Sequence, residues 1–248
     1  MDTQWIASVD GVRLAVHSQG AGRPVVMLHG YMDSARGAWF GPGIADALVA
    51  MGRRVIAPDL RGHGQSDAPT ESAAWPADVL ALDLRAVVEA LALTDYDLVG
   101  YSLGARTAVR GMVGGLTPRR AVAGGLGDRG IMGASQRTAA LEDAILHGAA
   151  AQDPKYGRVM QRLIARAGLQ PGAMVGVLKA FQPTTEAELG GLRLPVRIVC
   201  GREDLANGSP QRLTALIPGA ELVLVPGDHN RANLTAEFTQ AIVDFLAG

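Results

Sequence analysis

Gly100-Tyr101-Ser102-Leu103-Gly104 follows the short apolar run Asp97-Leu98-Val99 and precedes a helical stretch from Ala105 to Gly114. A G-x-S-x-G pentapeptide between a strand and a helix makes an elbow that holds a serine clear of the sheet. The geometry explains the glycines. The backbone at the serine is forced into a strained region, and side chains two residues to either side would collide. The first N–H groups of the new helix, beginning near Leu103, then point to where an oxyanion would form.

Two further strands carry the partners such a serine needs, in the order serine, acid, histidine. Pro195-Val196-Arg197-Ile198-Val199-Cys200-Gly201 reads as a buried strand, with Asp204 just beyond its end. Glu221-Leu222-Val223-Leu224-Val225-Pro226-Gly227 reads as another, followed by His229. In an open parallel sheet, residues beyond the carboxyl ends of the strands gather on one edge, so Ser102, Asp204 and His229 can meet. Val25-Val26-Met27-Leu28 runs into His29-Gly30-Tyr31, a loop placed to give a second oxyanion donor, the backbone N–H of Tyr31.

The order of elements extends this pattern. Trp5–Ala7 and Leu14–His17 form an opening hairpin turned at Asp10-Gly11. Further strands are predicted at Val25–Leu28, Val55–Ala57, Asp97–Val99, Arg120–Ala123, Val196–Cys200 and Glu221–Val225. Helices are predicted at Ile44–Met51, Ala77–Leu93, Leu103–Val113 and Gln240–Leu246. In the second of these, Val79, Leu82, Ala86, Ala90 and Leu93 keep helical spacing. Strand and helix in alternation argue for an α/β architecture: an eight-stranded, mostly parallel sheet with helices on both faces.

One segment breaks the alternation. The run Gly124-Gly125-Leu126-Gly127-Asp128-Arg129-Gly130 reads as a Gly-rich loop within a hinge from Gly124 to Gly133, and only helical patterns follow until Val196. Tyr156, Met160, Leu163 and Ala167 share one spacing, and Met174, Val177, Leu178 and Phe181 another. Pro154 and Pro171 sit where helices begin. The expected organisation is a first core segment over 1–130, a helical cap over 131–190 with its helices from about Ser135 to Gln182, and a second core segment over 191–248.

These motifs, with Asp59-Leu60-Arg61-Gly62-His63-Gly64-Gln65-Ser66, Gly201-Arg202-Glu203-Asp204 and Asp228-His229, resemble those of the α/β-hydrolase superfamily, essentially from end to end. The nearest pattern is that of compact serine esterases, cofactor-free perhydrolases and carbon–carbon bond hydrolases. Two departures stand out: Gly-Asp-His where many relatives have Gly-His or Gly-Gly-His, and Leu103 where many esterases carry Met or Gly. The resemblance implies a catalytic Ser102–His229–Asp204 triad with Tyr31 and Leu103 as oxyanion donors. It also implies no metal, no organic cofactor and a small acyl substrate. A serine at the elbow speaks against epoxide hydrolase and haloalkane dehalogenase chemistry, whose relatives place Asp there. Hydrolysis of a carbon–carbon bond in a vinylogous diketone and a non-catalytic ligand receptor are the alternatives. Asp128 is the rival acid, because some relatives carry it after the sixth strand.

The remaining titratable residues have structural readings. His29 would brace the oxyanion loop from behind, and Asp59 and His63 the Arg61–Gly64 turn. Asp228 reads as a turn residue. His17 and His147 show no metal-ligand spacing. Cys200, the one cysteine, reads as a buried packing residue.

Composition sets outer bounds. The 248 residues are 48% hydrophobic with a formal net charge of −1, which leaves no electrostatic footprint for nucleic acid or an acidic membrane. No basic leader followed by an apolar run opens the sequence, and no apolar stretch approaches the ~20 residues that span a bilayer. The expectation is a cytoplasmic protein without nucleic-acid or membrane partners.

Overall fold

A computed structural model describes residues 1–133 and 136–248. The eight expected strands are present: β1 (Asp2–Ala7), β2 (Arg13–Gln19), β3 (Arg23–Leu28), β4 (Arg53–Pro58), β5 (Asp97–Tyr101), β6 (Ala121–Gly124), β7 (Val196–Gly201) and β8 (Glu221–Val225). They form one sheet in the order β1-β2-β4-β3-β5-β6-β7-β8. The six from β3 to β8 are parallel, whereas β2 runs antiparallel to both β1 and β4. From β3 the chain goes outward to β4, then returns to pair β5 on β3's other side. That reversal opens a crevice beyond the carboxyl ends of β3 and β5.

Strands buried on both faces alternate between two apolar cores. Val26 and Leu28 of β3 face one core, and Val25 and Met27 face the other. The second core is closed by α1 (Ile44–Ala50) through Ile44 and Leu48, and by the C-terminal helix through Phe238, Ile242 and Phe245. The first is covered by α2 (Val79–Ala90) and α3 (Leu103–Val113). Helix α2 is shorter than its spacing suggests, because Asp78 adopts a left-handed φ of 59° just before it. Its buried residues are Val79, Leu80, Asp83, Leu84, Ala86, Val87 and Val88, while Leu82 is exposed.

Between β6 and β7 come α4 (Asp128–Met132), α5 (Gln136–His147), α6 (Pro154–Arg166), α7 (Pro171–Lys179) and α8 (Glu186–Gly190). Both prolines start helices as expected, and Asp153 caps α6 by accepting from the N–H groups of Lys155 and Tyr156. The expected helical segment's first residue, Ser135, lies outside the described residues. On α6 the buried positions are Gly157, Met160 and Ile164, while Leu163 and Ala167 face solvent. Helix α7 is seated on the core through Met174 and Val177, and a Cβ on Gly176 would come within 2.3 Å of the Trp75 ring.

The Gly-rich run after β6 is a close-packed strap rather than a hinge. A Cβ on Gly127 would lie 2.6 Å from the Gly208 carbonyl carbon, and one on Gly130 2.6 Å from the Asn207 Cβ. Beyond β7 the chain forms α9 (Pro210–Leu216), capped by Ser209, which the sequence pattern does not single out. Helix α10 (Ala236–Ala247) begins four residues before its apolar pattern, at the N-cap Thr235. Among the described residues no helix is long and apolar enough to cross a membrane.

A buried cation ties the hairpin, the loop after β4 and α2 together. Arg61 is fully buried; it donates to Asp83 at 2.7 and 3.0 Å, to Asp10 at 2.5 and 2.9 Å, and to the Ala74 carbonyl at 2.7 Å. Burial pushes the Asp83 carboxyl above its ordinary pKa, against the pull of Arg61. Removing the guanidinium leaves that carboxyl buried without a counter-charge, with the Ser8 hydroxyl, 2.5 Å away, as its remaining side-chain donor. Arg61→Met is therefore expected to cost about 3–5 kcal/mol in urea denaturation at neutral pH. In the variant Asp83 folds protonated, with a folded pKa above its unfolded value, so folding takes up a proton. The deficit relative to wild type should shrink as pH falls toward ~4; a deficit that is constant with pH would exclude this account.

Candidate active site

The elbow is built by two close backbone approaches. Ser102 has φ 53° and ψ −110°, a conformation that few side-chain-bearing residues adopt. A Cβ on Gly100 would lie 2.4 Å from the Gly104 carbonyl oxygen, and one on Gly104 2.1 Å from that of Leu28. No other residue type fits either position. The Ser102 N–H donates to the Gly124 carbonyl at 2.8 Å, which pins the turn to the neighbouring strand. Helix α3 then starts at Leu103.

Three strand ends converge on this turn. The Ser102 hydroxyl lies 2.9 Å from His229 Nε2, and His229 Nδ1 lies 2.8 Å from Asp204 Oδ2. The carboxylate accepts the Nδ1–H hydrogen bond, so Nε2 is left free to accept from the Ser102 hydroxyl. Asp204 is buried, and its other oxygen accepts the Ala206 N–H at 2.9 Å. Burial would raise its pKa, but the hydrogen bond and charge of His229 hold it below the ordinary value. The thiol of Cys200 sits 3.7 Å from the same oxygen that His229 uses, and burial pushes that thiol up to about 12. The thiol thus stays protonated and buried.

Asp128, the rival acid, is engaged elsewhere. Its Oδ1 accepts the Ser209 N–H at 2.7 Å and its Oδ2 faces Arg212 at 3.5 Å. It latches the loop that carries Asp204 onto the strap after β6. Asp228 accepts the Asn230 N–H at 3.0 Å and serves its own turn.

On the opposite side of Ser102 lies the loop after β3. A Cβ on Gly30 would come 3.7 Å from the Ser102 Cβ, so the two backbones are neighbours. His29 Nε2 accepts the Leu60 N–H at 2.9 Å, and its Nδ1 donates to the Gly30 carbonyl at 2.8 Å. Burial pushes the His29 pKa down, which keeps the ring neutral and its two roles distinct. Because a peptide's C=O and N–H point in opposite senses, holding the Gly30 oxygen orients the Tyr31 N–H. That N–H and the first one of α3, on Leu103, have no acceptor among the described residues.

The other histidines are structural. His63 donates from Nδ1 to the Arg61 carbonyl at 3.0 Å, packs edge-on against His29, and is pushed down to about 3 by burial. His17 bridges Thr3 and Asp59 at 2.9 and 3.0 Å, and Asp59 also accepts from Ala35 and Gln65. His147 is exposed and pairs with Asp143.

Two features near the site have no counterpart in the motif pattern. Asn207 reaches within 3.4 Å of His229 Nδ1. The Tyr31 hydroxyl donates to the Met174 carbonyl of α7 at 2.9 Å. A small cleft beside Leu103 is lined by the apolar Leu80, Ala81, Val177, Ala180 and Phe181 and by the polar Asp78, Arg106, Thr107, Arg110 and Gln182. Met174 is fully buried, its Cε 3.4 Å from a Cβ position on Gly62.

A family model described as the alpha/beta hydrolase fold matches residues 23–110. A 2-hydroxymuconate semialdehyde hydrolase from Pseudomonas sp. (strain CF600) is 37% identical over 99 residues, 40% of this chain and 34% of that protein. An epoxide hydrolase from Caballeronia sordidicola is 35% identical over 101 residues, 41% of this chain and 30% of that protein. The matches thus span about a third of these relatives' length. An esterase structure from Exiguobacterium antarcticum superposes with a TM-score of 0.80 over 100% of both chains, at 21% identity, a likeness of fold. With the eight-stranded sheet and the strand-turn-helix at Ser102, these findings show that the chain has the alpha/beta hydrolase fold, with that family's model matched over residues 23–110.

Proposed function

We propose that this protein is a serine hydrolase that cleaves a small, fairly apolar carboxylic ester, thioester or lactone through an acyl-enzyme. The observation that carries the reading is the continuous hydrogen-bonded chain from the Ser102 hydroxyl through His229 to Asp204. In this reading His229 takes the serine proton and Oγ attacks the carbonyl carbon. The N–H groups of Tyr31 and Leu103 stabilise the oxyanion, each donor supplying about 3 kcal/mol in comparable enzymes. His229 then protonates the leaving group, and a water activated by the same ring releases the acid. Asp204 holds the imidazole tautomer throughout.

Carbon–carbon bond hydrolysis is the second reading, and the similarity to a 2-hydroxymuconate semialdehyde hydrolase favours keeping it. The same serine and oxyanion donors would serve a ketone carbonyl. A panel of p-nitrophenyl esters run beside one vinylogous diketone separates the two.

The nucleophile assignment is tested by fluorophosphonate treatment followed by mass spectrometry. The adduct is expected on Ser102, and Ser102→Ala should lose both labelling and several orders of magnitude in kcat. An adduct on another residue, or an active Ser102→Ala enzyme, would overturn the reading. Asp204→Asn should cost about 10⁴-fold in kcat, because an amide favours the wrong imidazole tautomer. Asp128→Asn keeps an acceptor for the Ser209 N–H and should cost less than tenfold.

We further propose that α5 to α7 act as a cap that limits substrate size, with Phe181, just beyond α7, as one wall of the cleft beside Leu103. Each substrate methylene buried against the cleft is worth about 0.8 kcal/mol, close to a fourfold gain in kcat/KM. Phe181→Ala should move the preferred acyl length upward in an ester series. Met174→Ala should instead lower stability by about 2–5 kcal/mol and leave that preference in place. An optimum unmoved in Phe181→Ala would reduce these helices to covering for the core.

A further inference from the structure

The glycines after β6 make room for two side chains that both reach His229. Tyr101 immediately precedes the nucleophile, and its ring lies in the concavity left by Gly124 and Gly125. A Cβ on either glycine would come within 2.8 Å of that ring. The Tyr101 ring is tilted 31° from the His229 imidazole with centroids 5.6 Å apart, and Phe238 packs edge-on against it. Its hydroxyl donates to the His229 backbone carbonyl at 2.6 Å. Burial pushes that hydroxyl's pKa above the usual tyrosine value, so it remains a donor at any working pH.

Asn207 completes the grip. Its Nδ2 donates to the Gly125 carbonyl at 2.8 Å, and its Oδ1 accepts from Arg106 of α3 at 3.1 Å. These two bonds fix which end of the amide is which. Its backbone carbonyl accepts the Gly130 N–H at 2.7 Å. The Nδ2 atom then stands 3.4 Å from His229 Nδ1. That nitrogen carries a hydrogen that it donates to Asp204, so Nδ2 is a steric stop on the ring rather than a hydrogen-bond donor to it.

We propose that Tyr101 and Asn207 are positioning residues that hold the His229 imidazole in register with Ser102. Their part in turnover rests on the serine-hydrolase reading above. The physical need is plain. Ser102 and His229 are 127 residues apart in the chain, on loops at two different strand ends. Tyr101 is bonded directly to Ser102, so its hydroxyl links the histidine backbone to the nucleophile's own backbone through one rigid side chain. Asn207 does the same from the elbow helix and the strap. The two contacts limit ring movement along different directions, one through the main chain and one at the ring edge. Misplacement of a reacting group by about 1 Å costs on the order of a hundredfold in rate.

The test uses Tyr101→Phe and Asn207→Ala in the full chain. Tyr101→Phe keeps the ring and its stacking and removes only the hydroxyl. Expected for each variant is a fall of about ten- to a hundredfold in kcat and in fluorophosphonate labelling rate. KM on the preferred p-nitrophenyl ester should stay within about twofold, because neither residue is proposed to touch substrate. In proton NMR the downfield Nδ1–H resonance of His229 should be present in wild type and broadened or lost in the variants, at a temperature where all are folded. Unchanged kcat and an unchanged Nδ1–H signal would overturn the proposal. So would losses that merely track a lowered Tm and vanish on cooling. A wild-type protein that fluorophosphonate does not label would sink the serine-hydrolase reading. The NMR comparison would then still decide whether these two residues hold the ring.

Discussion

The structure depends on the contact in which the backbone at Gly104 rests against the carbonyls of Leu28 and His29. Helix α3 can leave β5 at so sharp an angle only because nothing projects from that residue. The angle forces Ser102 to a positive φ, and the resulting strain is held by the Ser102 N–H on the Gly124 carbonyl. The same contact fixes the distance between α3 and the loop after β3. The two N–H groups on either side of Ser102 therefore belong to one rigid unit, although they come from strands far apart in sequence. A serine on an ordinary surface turn would have neither its exposure nor its neighbours.

Around this unit, polar groups are buried only where they are mutually satisfied. Asp59 accepts from Ala35, Gln65 and His17, and so joins the loop after β4 to the loop after β3 and to the hairpin. His29 repeats the device between Leu60 and Gly30. Each bond contributes little net stability, yet a missing partner would leave a buried group unpaired, at about 1–3 kcal/mol each. Such networks act on the orientation of loops more than on overall stability. Packing in the two apolar cores supplies the bulk of the folding free energy.

The eight strands and the meeting of Ser102, His229 and Asp204 were legible because both depend on local, periodic signals. Apolar runs ended by turn residues mark strands, and a parallel sheet gathers the residues just beyond the strand ends on one edge. The losses have an equally local cause. Leu82 and Leu163 keep helical spacing but face solvent, since on a short helix the spacing admits neighbouring stripes and tertiary packing chooses between them. The choice on α2 is made by Asp83, a charged residue whose burial makes sense only beside Arg61, 22 residues away. Tyr101, Asn207 and the Tyr31 hydroxyl escaped notice because their partners lie 128, 22 and 143 residues away. The Gly-rich run was visible, but in one dimension glycine for freedom cannot be told from glycine for close approach. Here close approach wins: both faces of the strap carry side chains at contact distance.

Tyr31 carries two connections on one residue. Its N–H is oriented by the peptide that His29 grips, and its hydroxyl is bonded to the Met174 carbonyl of α7. Helix α7 cannot move away from the sheet without breaking that bond or pulling on the loop that bears the N–H. Met174 itself is wedged against Gly62, and Gly176 against Trp75, so α7 is the anchored edge of the inserted helices. At the far end of α7 the Ala180 carbonyl accepts the Asp78 N–H at 3.0 Å, and the Phe181 ring sits beneath the Arg106 guanidinium at 5.0 Å and lines the cleft beside Leu103. A cation–π contact at a partly exposed site is worth about 0.5–1 kcal/mol, far less than uncovering Met174.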